Sequence, residues 1–97
     1  MIQRTVLVKF AETTTEEQLQ EVVTRFKALE SHLKGIVDLQ AGLNFAEKSK
    51  EYQVVLMVRF ENRAALDAYV ENAEHQAVAA YIRENGRVDS IGVDIEI

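Results

Sequence analysis

The sequence predicts an α+β fold with the element order β-α-β-β-α-β, and three features of the chain support this prediction. Four segments alternate apolar with polar residues, as strands with one buried face do; they are residues 2–10, 36–45, 52–60 and 91–97. A long segment between the first two strands has helical periodicity, and two short segments before the last strand have it too. This order predicts a four-stranded antiparallel sheet with the helices on one face, which is the ferredoxin-like arrangement.

Length and composition exclude several classes of protein. With 97 residues, the chain is expected to form a single domain over residues 1–97. It contains no cysteine, so we expect no disulfide, no thiolate metal site and no cysteine nucleophile. The net charge of −5 and the lack of a basic cluster argue against a nucleic-acid partner. No segment is apolar enough for a signal peptide or a membrane span, so a cytoplasmic protein is expected.

The first strand carries a charged residue on the face that we assign to the helices. That face consists of Ile2, Arg4, Val6, Val8 and Phe10. The first helix is expected to begin in the run 13–18, which offers capping boxes such as Thr14 with Glu17. It is expected to end near Gly35, because glycine readily takes the left-handed conformation of a helix C-cap. His32, in its last turn, is interpreted as a solvated residue that interacts with the helix dipole.

The opposite face of the predicted sheet carries apolar residues that the helices cannot cover. On the third strand, Val54, Leu56 and Val58 point towards the helices, whereas Val55 and Met57 point away from them. Leu7 of the first strand also points away. Because an uncovered apolar sheet face usually marks an interface, the sequence predicts a homodimer in which two such faces meet.

The most distinctive segment is the break between the two short helical stretches, residues 63–71 and 74–85. Asn62 is expected to cap the first stretch. Tyr69 belongs to its apolar stripe, and His75 begins the apolar stripe of the second. A histidine there can exchange a proton near neutral pH, and the tyrosine can supply a hydroxyl beside it. The alternative is structural, since a tyrosine and a histidine at a core edge often only fill volume and satisfy hydrogen bonds.

Together these segments resemble the stress-responsive A/B barrel (Dabb) family of the dimeric α+β barrel group. The resemblance covers essentially the full length, and its most specific part is the last helical segment. It is carried by residues 5–10 (TVLVKF), 35–36 (GI), 52–60, 65–69 (ALDAY) and 74–78 (EHQAV). The resemblance implies a ferredoxin-like protomer and a dimeric α+β barrel formed by two sheets.

The family includes plant stress-associated proteins and a polyketide cyclase of the olivetolic acid type, so the resemblance implies no single activity. In that cyclase the histidine and tyrosine that match His75 and Tyr69 carry out the chemistry, in a pocket between sheet and helices. This chain departs from the pattern at three places. It has Arg4 where family members usually have histidine, Val54 where the cyclase has a further histidine, and residues 72–73 (NA) where His-Pro is common.

Two functions from different classes follow. In the first, a small apolar pocket binds an anionic or aromatic molecule, Arg4 orients its anionic group, and His75 and Tyr69 act as catalytic acid or base and hydrogen-bond donor. The pocket lining would be Val6, Val8, Phe26, Val54, Leu56 and Val58. In the second, the protein is a stress-associated dimer without a ligand, and whether it is an enzyme stays open. A haem-dependent or flavin-independent monooxygenase is disfavoured, and no cofactor or metal is expected, because the two histidines lack ligand spacing.

Overall fold

The computed structural model describes residues 1–97 and contains the expected four-stranded antiparallel sheet with helices on one face. The strands are β1 (Ile2–Phe10), β2 (Ile36–Leu43), β3 (Val54–Phe60) and β4 (Arg87–Glu96), and their order in the sheet is β2-β3-β1-β4. The helices are α1 (Glu16–Ala28), α2 (Arg63–Glu71) and α3 (Ala73–Glu84). The predicted ferredoxin-like fold is therefore confirmed. None of the helices has both the length and the apolar character that a membrane crossing requires.

The hydrophobic core lies between the helices and one face of the sheet. β1 and β3 are the two central strands, and their alternate residues Val8, Val54 and Val58 are fully buried. Helix α1 contributes Val22, Val23 and Phe26, which follow the three-and-four spacing of an amphipathic helix. The same alternation that predicted the strands thus determines which face of each central strand becomes part of the core.

The register of the sheet places the residues of β4 beside those of β1. The two strands pair antiparallel, and Arg4 lies directly opposite Asp94 on one side and Val58 of β3 on the other. Directly paired residues of antiparallel strands project on the same face. Asp94 therefore shares the helix-facing side of the sheet with Arg4.

Two helix starts show how local sequence fixes the helices. Asn62 caps α2 as expected, because its side-chain oxygen accepts a hydrogen bond from the Ala65 amide at 2.9 Å. Helix α1 has a capping box one residue later than the Thr14 pair predicted, between Thr15 and Gln18. The Thr14 hydroxyl instead donates to the Asn85 carbonyl at 2.7 Å. It thereby ties the start of α1 to the end of α3.

Several element ends differ from the predicted ones. Helix α1 ends at Ala28 and continues as a 3₁₀ turn over Leu29–Ser31, so His32 caps that turn and is exposed.

β2 ends at Leu43, before the expected position, and β3 begins only at Val54. In the segment between β2 and β3, the side-chain amide of Asn44 donates hydrogen bonds to the backbone carbonyls of Ser49 and Tyr52. These hydrogen bonds favour a turn over further strand pairing. β4 begins at Arg87, earlier than expected, because it pairs with β1 along almost its whole length.

The sheet face opposite the helices is open and carries exposed apolar side chains among polar ones. Met57 of β3 is 38 % exposed, and three isoleucine and valine side chains of β4 are between 43 and 57 % exposed: Ile91, Val93 and Ile95. The strand pairing places Ile91 beside Leu7 and Val93 beside Thr5, which is itself paired with Met57. These residues therefore form one continuous surface, which we call the open face.

Candidate functional site

Tyr69 and His75 meet where α2 gives way to α3. The backbone of Asn72 is extended at this point, so it ends α2, and its side-chain oxygen accepts a hydrogen bond from the Glu74 amide at 2.8 Å to begin α3. The change of direction brings the ring centroids of Tyr69 and His75 to 4.3 Å, at an interplanar angle of 43°. The Tyr69 ring also lies 5.1 Å from the ring of Phe60, measured between centroids. The helix break thus holds the histidine against a tyrosine that is anchored in the core.

Both side chains of this pair bury a polar atom that has no hydrogen-bond partner. Tyr69 is only 3 % exposed and its hydroxyl is unpaired, and the Nδ1 atom of His75 is buried and unpaired as well. They are the only buried side-chain nitrogen or oxygen atoms in the structure without a partner. A buried polar group without a partner costs about 1–3 kcal/mol, so two of them in adjacent rings require an explanation.

The surroundings keep both groups uncharged at neutral pH. Burial raises the pKa of Tyr69 to about 12, and the nearby positive charge of Arg4 opposes that rise only in part. Burial also lowers the pKa of His75; a hydrogen bond between the imidazole and the Val70 backbone opposes this effect, and the Arg4 charge adds to it. The pair is therefore a neutral hydrogen-bonding unit beside a fixed cation.

Arg4 itself is held by a carboxylate. Its Nε donates to one oxygen of Asp94 at 2.8 Å and its Nη2 donates to the other at 3.0 Å, in a bidentate ion pair. The side chains of Arg4 and Asp94 are 21 % and 37 % exposed. This hydrogen bond raises the pKa of Arg4 and lowers that of Asp94. At neutral pH the group of Arg4, Asp94, Tyr69 and His75, which we call the corner site, therefore carries no net charge.

Asp94 is the member of the corner site that the sequence reasoning missed. The alternation of β4 showed that Asp94 lies on the face opposite Ile95. An acid on that face is a natural partner for an arginine on the same face of a neighbouring strand. The alternation within β4, however, does not reveal which residue of β1 lies opposite Asp94. The register between β1 and β4 decides this, and it pairs Asp94 with Arg4.

The six apolar residues predicted to line a pocket lie in the packed core instead of around an empty space. Val6 packs against that core, and the other five are between 0 and 4 % exposed: Val8, Phe26, Val54, Leu56 and Val58. None of the four cavities of the protomer is lined by any of the six, nor by Arg4, Tyr69 or His75. Their role as a ligand lining stays a prediction.

One of the four cavities lies beside the corner site. It is a groove of about 320 Å³ between α2 and the end of β4, and we call it the α2–β4 groove. Asp94 belongs both to this groove and to the corner site. The remaining lining residues are three apolar and three charged ones: Ile2, Leu66 and Ile95, and Arg63, Asp67 and Glu96. Arg63 and Glu96 form an ion pair across the groove, which links α2 to β4.

No group of three or more histidine, cysteine or acidic side chains in the structure is arranged to hold a metal ion. The corner site itself offers three groups that can take part in hydrogen bonding or proton transfer. These are a neutral imidazole that can accept a proton, a phenol that can donate a hydrogen bond, and a guanidinium with free N–H groups.

The family model of the stress responsive A/B barrel domain matches residues 2–97. The chain belongs to this Dabb family. The resemblance seen in residues 65–69 and 74–78 is thereby confirmed, and these are the segments that hold Tyr69 and His75. No protein of curated function has a significantly similar sequence.

Solved structures similar to this Dabb chain share its fold over nearly the whole length. A dimeric protein of unknown function from Bacteroides fragilis is 23 % identical, with a TM-score of 0.83 over 99 % of this chain and 95 % of that one. A dimeric ferredoxin-like protein of unknown function from Thermobifida fusca is 19 % identical, with a TM-score of 0.87 over 99 % and 90 %. The hydroxynitrile lyase of Passiflora edulis is 8 % identical, with a TM-score of 0.83 over 99 % and 92 %. At these identities the similarity concerns the fold.

Proposed function

We propose that this Dabb protein is a homodimer that binds a small molecule at the corner site, with the body of the molecule in the adjoining α2–β4 groove. The observation that carries the proposal is the pair of unpaired buried polar atoms, the Tyr69 hydroxyl and His75 Nδ1. A bound molecule with a hydrogen-bonding head group would satisfy both atoms. The groove volume of about 320 Å³ falls at the lower end of the range of small-molecule sites.

The open face supports the homodimer. Its exposed apolar side chains come from the centre and one edge of a sheet whose other face is covered by helices, and a second open face would remove them from water. Two of the similar structures described above are dimeric proteins with this fold. A two-fold axis that brings Met57 near its counterpart is the simplest arrangement.

Substitution of Met57 by glutamate tests the dimer. The change would place two like charges close to the two-fold axis in a desolvated interface, so we expect association to weaken by several kcal/mol. The matched control is Val70→Glu, because Val70 is 40 % exposed, close to the 38 % of Met57, but lies on α2. Sedimentation velocity at micromolar concentration should show a dimer for the native chain and for Val70→Glu, and a monomer for Met57→Glu. A native monomer, or equal behaviour of the two variants, would contradict the interface.

Side-chain NMR of the two histidines tests the small-molecule site. Phenol, benzamide and benzoate are suitable probes, since each combines an aromatic body with one hydrogen-bonding head. We expect at least one of them to shift the ring nitrogen signals of His75 in a saturable way. His32 serves as the internal control, because it is exposed and belongs neither to the corner site nor to the α2–β4 groove. The absence of any saturable shift at His75 with all three probes would rule out the proposed site.

Catalysis is the second candidate, and the state of His75 favours it. The lowered pKa leaves the imidazole neutral, and its unpaired Nδ1 is able to accept a proton from a bound molecule. Tyr69, whose pKa of about 12 keeps its hydroxyl protonated, would donate a hydrogen bond to the developing oxyanion. Exchange of an α-hydrogen of a bound ketone for deuterium, followed by NMR, would reveal such a base. His75→Gln should then abolish the exchange, whereas His32→Gln should not.

A further inference from the structure

The ion pair between Arg4 and Asp94 determines which ligand charge the corner site accepts. Arg4 was expected to orient an anionic group, but both oxygens of Asp94 already occupy its Nε and Nη2 donors. An incoming carboxylate must displace Asp94, which breaks a bidentate charge-assisted pair, or must lie close to it and meet a like charge. Either requirement disfavours an anion.

The approach to the site disfavours anions further. The α2–β4 groove contributes three carboxylates, of which Asp94 is paired with Arg4 and Glu96 with Arg63, so Asp67 leaves one net negative charge there. The whole chain carries a net charge of −5. An anion that enters the groove is therefore repelled before it reaches Arg4.

The groups that remain free suit a neutral molecule. A guanidinium has five N–H donors, of which two are engaged with Asp94, and the three others can donate to a carbonyl oxygen. The Tyr69 hydroxyl can also donate to a carbonyl oxygen, and the neutral imidazole can accept a hydrogen bond at the unpaired Nδ1. A neutral molecule with a carbonyl and an adjacent N–H or O–H therefore offers a hydrogen-bond partner to each kind of group.

We propose that Asp94 is a specificity-determining residue that excludes anions, and that the ligand of this Dabb protein is an uncharged carbonyl compound with an adjacent N–H or O–H, such as a carboxamide. This inference rests on the proposed small-molecule site. It goes beyond that site because it assigns the charge and the head group of the ligand. It also implies that the Asp94 carboxylate competes with ligand anions for the Arg4 guanidinium.

Benzamide and benzoate test the proposal, since they have nearly the same shape and differ in charge at pH 7. Binding to the native dimer, followed by the His75 ring signals, should favour benzamide over benzoate by at least about tenfold, a ratio typical of one charge-assisted interaction. The variant Asp94→Asn frees Arg4 and should strengthen benzoate binding by at least about tenfold, with little effect on benzamide.

The matched control is Glu84→Gln, which removes one carboxylate charge at an exposed position of α3 outside the groove and leaves the partner of Arg4 in place. It should change benzoate binding by less than about threefold if release of Arg4 is the cause. Equal native affinities for the two probes, or an equal gain of benzoate binding in both variants, would overturn the role of Asp94 while leaving the site itself intact. Failure of both probes and of phenol at His75 would overturn the site and this inference together. The preference of the native protein for benzamide over benzoate is measured without any substitution, so it tests the proposal even if Asp94→Asn does not fold.

Discussion

Replacement of Tyr69 by phenylalanine should stabilise the protein in the absence of ligand. The substitution removes only the hydroxyl, which is buried and has no hydrogen-bond partner. It preserves the ring, with its neighbours Phe60 at 5.1 Å and His75 at 4.3 Å between centroids. The unfolded chain loses a solvated hydroxyl and the folded chain loses an unsatisfied one, so the balance favours the folded variant.

The size of the effect follows from the burial of that hydroxyl. Release of an unsatisfied buried group contributes about 1–3 kcal/mol. The space left by one oxygen atom is roughly 10 Å³, which costs only about 0.2 kcal/mol at the usual cavity rate. We therefore expect the free energy of unfolding to rise by about 1–2 kcal/mol, and each kcal/mol raises the melting temperature of a domain of this size by about 4–8 °C.

Urea denaturation at a fixed protein concentration is the suitable measurement, because the stability of the proposed dimer would depend on concentration. Tyr52→Phe is the matched control: the Tyr52 hydroxyl donates to the Asp89 carboxylate at 2.7 Å, so its loss should be neutral or destabilising. The two variants are thus expected to shift the denaturation midpoint differently. A loss of more than about 1 kcal/mol in Tyr69→Phe would show that the hydroxyl has a strong partner in the resting protein, and the reasoning for the corner site would fail.

Two further predictions concern His75 and Gly35. Because burial lowers the pKa of His75 from its ordinary value of 6.5, the unfolded chain binds the proton more readily. Stability should therefore fall as the pH drops through about 6.5, and His75→Gln should remove this dependence while His32→Gln, at an exposed position, keeps it. Gly35→Ala should destabilise the protein by about 1–3 kcal/mol, because φ is +85° there and an added Cβ would lie 2.6 Å from the Cβ of Ala65. Gly42→Ala, where nothing lies within 4 Å, should change the urea midpoint far less.

The sequence alone determined the order of the elements and the faces of the central strands. The alternation in residues 2–10 and 54–60 and the cap at Asn62 depend on neighbours within a few positions, so they can be read locally. The break between α2 and α3 was also visible, since the apolar stripe restarts at His75. These local patterns led to the family and to three members of the corner site, namely Arg4, Tyr69 and His75.

The tertiary structure alone decided what Arg4 does. Its partner Asp94 is 90 positions away along the chain, and a shift of β4 by two residues against β1 would have paired Arg4 with a different side chain. The same pairing extended β4 back to Arg87, and the tertiary packing placed the predicted lining residues in or against the core. Strand register and side-chain packing depend on the whole fold, because they are fixed by contacts between distant segments, and periodicity within one segment does not record them.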